Sequence, residues 1–259
     1  MHSSLKDGRQ AALSVLRRSV LALVAALPCL AHAQADYARE QRWADEITPA
    51  ILVGDPLYLT QTSGHRFLAL HAVSAPPKGQ VIVVHGIGVH PDWGLINTLR
   101  SALAEQGYTT LSIQMPVLAA DARADQYAAL FPEATSRLDA AVRFLRQQSP
   151  AKIAIVAHSM GARMTDTFLA QSDVPLAAWV AIGLSGPFAK ADALRFPVLD
   201  LHGTNDLPAV LQAAPARAAT LARVRGSGQV SVDGADHFFN GRQADLVRTV
   251  ASFLDRALR

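Results

Sequence analysis

Residues 152–163, KIAIVAHSMGAR, constrain the fold more than any other stretch of the chain. Ile153, Ala154, Ile155, Val156 and Ala157 form a short apolar run bounded by Pro150 and a turn, which reads as a buried strand. The chain then turns at His158-Ser159-Met160-Gly161 and takes up helical spacing. Small residues stand two places before and two after the serine, at Ala157 and Gly161, where bulk would clash between strand and helix. A turn of this kind lifts a serine hydroxyl above the edge of a sheet. It also puts that serine at a helix N-terminus, where backbone N–H groups favour developing negative charge. Ser159 is therefore the candidate nucleophile, weighed against a helix-capping serine.

The rest of the chain supplies the sheet such a turn needs. Residues 51–60 and 65–73 are β-type runs joined by the polar turn Gln61-Thr62-Ser63-Gly64, which suits an antiparallel hairpin at a sheet edge. Before them, 34–50 reads as a helical or irregular lead-in. After them come strands at 80–84, 109–114, 153–157, 177–183, 197–201 and 229–232. Helices are expected at 97–106, 134–148, 160–171, 208–223 and 242–258, with 117–134 irregular or partly helical. Alternation of this kind predicts an α/β domain with a mostly parallel, doubly wound sheet of about eight strands, covered on both faces. In such sheets the chemistry gathers at the carboxyl ends of the strands.

A serine hydroxyl needs a base to take its proton, and the base needs an orienting acid. His237 follows a late strand in Gly234-Ala235-Asp236-His237 and is the candidate base. Asp206 follows PVLDLHGTND, one strand earlier, and is the candidate acid, with Asp200 and Asp236 as rivals. Asp200 lies within its strand, and Asp236 adjoins the base so that its side chain points elsewhere. An oxyanion needs two backbone N–H donors. Met160, directly after the serine, is one, and Ile87 in His85-Gly86-Ile87-Gly88 is the other. His158 is expected to pack or to hydrogen-bond behind the site, His85 to brace the oxyanion loop, and His202 to end a strand. His85 with His90 and Asp92 is a thin metal set, and no metal or other cofactor is expected. Gly86-x-Gly88 lacks the third glycine of a dinucleotide fingerprint.

Lys6, Arg9, Arg17 and Arg18, the apolar stretch 20–30 and the Ala31-His32-Ala33 site read as a signal peptide over 1–33, with Gln34 the first mature residue. The apolar stretch is too short for a comfortable membrane span. Of the 24 basic and 21 acidic residues, cleavage would leave 20 of each, so the mature chain offers no basic surface for nucleic acid. It would also remove the single cysteine, Cys29, and with it any disulfide or thiolate chemistry. These features imply export, to a bacterial periplasm, and a single domain over 34–259 with no stable membrane span.

With the elbow, the HGIG loop, the late Asp and the late His in place, residues 51–259 resemble the α/β-hydrolase superfamily. The segments His90-Pro91-Asp92-Trp93 and 110–117, TLSIQMPV, are similar to an exported bacterial group of α/β-hydrolase-like proteins of unknown function. The resemblance implies Ser159 as nucleophile, Asp206 as acid and His237 as base, which agrees with the reading from the residues. The segment 183–195 is too short for a substantial cap domain, so the mouth is expected to be shaped by 88–94 and 117–134. Gly88, Asp92 and Trp93 are candidates to line it, with a capping role for Asp92 and an anchoring role for Trp93 as the alternative. The expected function is hydrolysis of a carboxylic ester or related acyl bond in a small-molecule substrate. A non-catalytic binding or envelope-maintenance protein on the same scaffold is the rival reading.

Overall fold

A computed structural model describes residues 35–259. The signal-peptide reading of 1–33 and the Gln34 terminus lie outside the described residues. Eight strands form one sheet in the order β1-β2-β4-β3-β5-β6-β7-β8. The edge hairpin is β1 (Asp55–Thr60) and β2 (Arg66–Ala72), paired antiparallel with Leu57 opposite Ala69. β2 joins β4 (Thr109–Ile113) antiparallel. From there β3 (Gln80–Val84), β5 (Ile153–His158), β6 (Ala178–Ile182), β7 (Val198–Asn205) and β8 (Gly228–Asp236) run parallel.

The period-two alternation of the central strands divides the core in two. Ile82, Val84, Ile155 and Ala157 face one way, against α3 (Phe131–Gln148) through Leu138 and Leu145 and α4 (Met160–Gln171) through Phe168. Val81, Val83, Ala154 and Val156 face the other, against α2 (Gly94–Glu105) through Leu99 and Leu103 and α6 (Gln243–Ala257) through Val250 and Leu254. Burial on both faces is why these strands read as unbroken apolar runs rather than alternating ones.

Local signals set the ends of the elements. At the end of α2, Gly107 takes φ +92°, its N–H donates to the Ala104 carbonyl at 3.0 Å, and the Tyr108 N–H donates to Leu103 at 3.1 Å. That pairing closes the helix through a left-handed residue, a conformation glycine adopts without a Cβ penalty. α3 starts with Pro132 in its first turn and stops at Ser149, extended as a residue before proline must be. α5 (Pro208–Leu221) also opens on proline. The lead-in is more ordered than its sequence suggests. Asp36 caps α1 (Tyr37–Ile47) by accepting the Arg39 N–H at 2.9 Å, and Ala44 and Ile47 pack on Leu68 and Leu70 of β2. β8 runs to Asp236, four residues beyond the apolar run that marks it, because pairing with β7 continues past a register shift between Gly203 and Asn205. A Cβ at Gly203 would stand 2.1 Å from the Ala235 carbonyl oxygen, so only glycine lets the strands meet there. No helix among the described residues is long and apolar enough to cross a membrane.

Candidate active site

Strand register brings the candidate residues together at one sheet edge. Val84 pairs with Ala157, so the residues that follow, His85-Gly86 and His158-Ser159, leave the sheet in step. His158 pairs with Ile182, and the Ser159 N–H donates to the Ile182 carbonyl at 2.8 Å. Asn205 pairs with Asp236, so Asp206 and His237 emerge side by side.

Ser159 sits at the turn with φ 55° and ψ −121°, a conformation a non-glycine residue adopts at a cost of about 1–3 kcal/mol. Its side chain makes no capping bond to α4, so the helix-capping alternative does not describe it. Instead Oγ lies 2.8 Å from His237 Nε2, and His237 Nδ1 lies 2.6 Å from Asp206 Oδ1. Burial of Asp206 would raise its carboxyl, but the hydrogen bond and charge of His237, with N–H donors from Leu207 and Gly203, outweigh burial and hold it below the ordinary carboxylate value. An ionised Asp206 accepts from Nδ1–H and leaves Nε2 to accept the serine proton.

The rival acids are engaged elsewhere. Asp200 Oδ2 accepts from Arg217 Nε at 2.9 Å and from Gln229 Nε2 at 2.6 Å, deep between β7 and α5. Asp236 accepts the N–H groups of Phe238 and Asn240, both at 3.0 Å, and so turns away from His237.

Two glycines determine how tightly the edge closes. A Cβ on Gly161 would meet the His85 carbonyl oxygen at 2.2 Å, which is the steric reason for a small residue two places after Ser159. A Cβ on Gly183 would meet His237 Cε1 at 2.8 Å, and its φ of +58° excludes most side chains anyway. The ring of the candidate base therefore occupies space that a side chain at 183 would take, a role the sequence reading did not assign.

Met160 opens α4, so its N–H has no intrahelical partner. Ile87 follows Gly86, whose Cβ position lies 3.2 Å from Ser159 Cβ, and Ile87 is 37% exposed. His85 braces this loop. Its Nε2 accepts the Met115 N–H at 2.8 Å, so Nδ1 carries the proton and donates to the Gly86 carbonyl at 2.8 Å. Burial pushes its pKa down to about 3, which keeps the ring neutral. His158 is likewise buried and pushed down to about 4, and its Nε2–H donates to the His237 carbonyl at 2.9 Å. His202 lies inside β7, buried, rather than at its end.

The mouth candidates separate. The Asp92 carboxylate faces inward: Oδ1 accepts from Arg100 Nε at 2.6 Å and from Asn97 Nδ2 at 2.7 Å, and Arg100 is buried. Asp92 thus anchors the loop, and His85 is already bonded at both nitrogens, so the thin metal set lacks that ligand. Among the described residues no group of three or more His, Cys, Asp or Glu side chains is placed to hold a metal. Trp93 is half-buried and meets Phe238 edge to face at 5.5 Å. Gly88, at φ +67°, faces Arg39 and Tyr127. Arg39 donates to the carbonyls of Gly88 at 3.1 Å and Leu118 at 2.8 Å, tying α1 to both loops expected to shape the mouth. Nothing in the lead-in sequence signals that role.

Residues 52–136 match a family described as "Protein of unknown function (DUF3530)". The match spans the hairpin and the HPDW and TLSIQMPV segments and stops before Ser159. A search of the curated proteins finds no match. Among solved structures, XC6422 from Xanthomonas campestris, described as an α/β serine hydrolase without lid, is 18% identical with a TM-score of 0.64, over 80% of this chain and 96% of that one. The fold is that of the α/β hydrolases. A dienelactone hydrolase from Anabaena variabilis shares this α/β-hydrolase fold at 19% identity and TM-score 0.63, over 79% of this chain and 99% of its own. Est1E from Butyrivibrio proteoclasticus does so at 15% and 0.60, over 77% and 97%. Between β6 and β7 the chain carries only a short connection with one 3-10 turn, Ala191–Ala193, and no cap domain is inserted there.

Proposed function

We propose that the chain is a serine hydrolase that cleaves carboxylic esters through an acyl-enzyme. The observation that supports this most is the unbroken chain from Ser159 Oγ through His237 to Asp206, at 2.8 and 2.6 Å. His237 Nε2 takes the Ser159 proton as Oγ attacks the acyl carbonyl. The N–H groups of Met160 and Ile87 receive the developing oxyanion, a donor pair in which each member is worth on the order of a hundredfold in rate. His237 then protonates the departing alcohol, and water, activated by the same ring, releases the acid. Asp206 orients the ring and stabilises it when charged. The hydrolases and esterases among the structural neighbours support the class and leave the substrate open.

A fluorophosphonate probe tests the proposal. The wild-type protein should be labelled and Ser159→Ala should not. A folded wild-type protein that takes no label would overturn the proposal in favour of a binding role on the same scaffold.

The proposal includes export. The basic start, the apolar stretch and Ala31-His32-Ala33 support it. Protein recovered from the periplasm of an expressing bacterium should begin at Gln34, and an intact N-terminus in the cytoplasmic fraction would refute it.

A further inference from the structure

We propose that Phe238, backed by Trp93, forms the leaving-group side of the site and selects esters whose alcohol part is aromatic. The inference rests on Ser159 acting as the acylated nucleophile. Acylation forms the bond from Ser159 Oγ to the acyl carbon and breaks the bond from that carbon to the alkoxy oxygen. The proton that His237 took from the serine goes to that oxygen, and the alcohol departs. The departing oxygen must therefore lie within hydrogen-bond reach of His237 Nε2, and the group it carries must lie against whatever flanks that ring.

Phe238 flanks it. Its ring centre is 5.1 Å from that of His237, 5.9 Å from His158 and 5.5 Å from Trp93. The ring is nevertheless 43% exposed, an open aromatic surface beside the proton donor. The backbone that carries it is held. Its N–H donates to Asp236 Oδ1, and the following residue, Phe239, is fully buried in the core at φ 55°. Trp93 stands at the N-cap of α2 directly after Asp92, whose carboxylate is bonded to the buried Arg100. An exposed Phe238 already packed edge to face on a half-buried Trp93 suits an aromatic ligand, because little side-chain freedom is left to lose when a further ring packs on it. The acyl part stays bonded to Ser159 and meets the oxyanion loop instead, so the two halves of the substrate are read by different residues.

The test is a pair of ratios of kcat/KM in the wild type, Phe238→Ala and Phe238→Leu. The first ratio compares benzyl acetate with ethyl acetate and reads the alcohol side. The second compares benzyl hexanoate with benzyl acetate and reads the acyl side. In the wild type the first ratio should exceed one. Phe238→Ala should reduce it about tenfold, the size expected for losing one aromatic contact and its buried area, with Phe238→Leu between the two. The second ratio should be the same in all three proteins. A first ratio untouched by Phe238→Ala in an active enzyme overturns the inference alone. So does an equal change in both ratios. A wild type that hydrolyses none of the esters and takes no fluorophosphonate label overturns the serine-hydrolase reading, and this inference with it.

Discussion

Ser159→Ala should lower ester turnover by about a millionfold, and Asp206→Asn by about ten-thousandfold. The first removes the atom that carries the acyl group. The second is subtler. The introduced asparagine would keep the size of the side chain, but the Oδ1 position meets both the Leu207 N–H at 2.7 Å and His237 Nδ1 at 2.6 Å, so an amide nitrogen turned to the ring gives up the Leu207 bond. That nitrogen would offer a donor to His237 Nδ1, which favours the tautomer with its proton on Nε2, the wrong one for accepting from Ser159. Burst and steady-state kinetics on one chromogenic ester, with circular dichroism to verify folding, check both. If Asp206→Asn kept wild-type turnover, the orienting role would have to move to another carboxylate.

Asp200→Ala should do the reverse, costing about 3–5 kcal/mol of stability with little effect on the chemistry of the folded fraction. Asp200 and Arg217 are both fully buried, and the guanidinium bonds Asp200 Oδ2 and the carbonyls of Gly186 and Val210. Truncating the acid leaves a cation in the interior with carbonyls alone to hold it. For a domain of this size that corresponds to a fall in Tm of roughly 10 °C, readable by calorimetry. A variant of normal Tm with lost turnover would mean that Asp200, not Asp206, serves the histidine. The two aspartates lie six positions apart and look alike in sequence, so the contrast between the variants separates them cleanly.

The candidate serine, acid and base stood out in the sequence because each follows an apolar strand, and strand ends of a parallel sheet share an edge. Gly86 and Gly161 were legible for the same reason, since a turn between buried elements leaves few residue choices. What could not be read was whatever depends on partners distant in sequence. Asp92 stands beside Trp93 in a loop and gives no sign that its partner is the buried Arg100 eight residues on. Arg39 sits in the lead-in before the first strand, yet it bonds carbonyls 49 and 79 residues away. Gly183 ends an ordinary strand, and its steric role appears only once the ring of His237 is placed. β8 outruns its apolar stretch because Asp233, Gly234 and Asp236 are turn-type residues, and pairing with β7 overrides their local preference.

The short connection after β6 has a consequence for the size of molecule that can be served. With no cap domain between β6 and β7, the proposed hydrolase would let an ester on a long chain, a polymer or a particle present its scissile bond while the rest of it stays in bulk solvent. Selectivity must then come from the few residues that touch the bond and its immediate flanks.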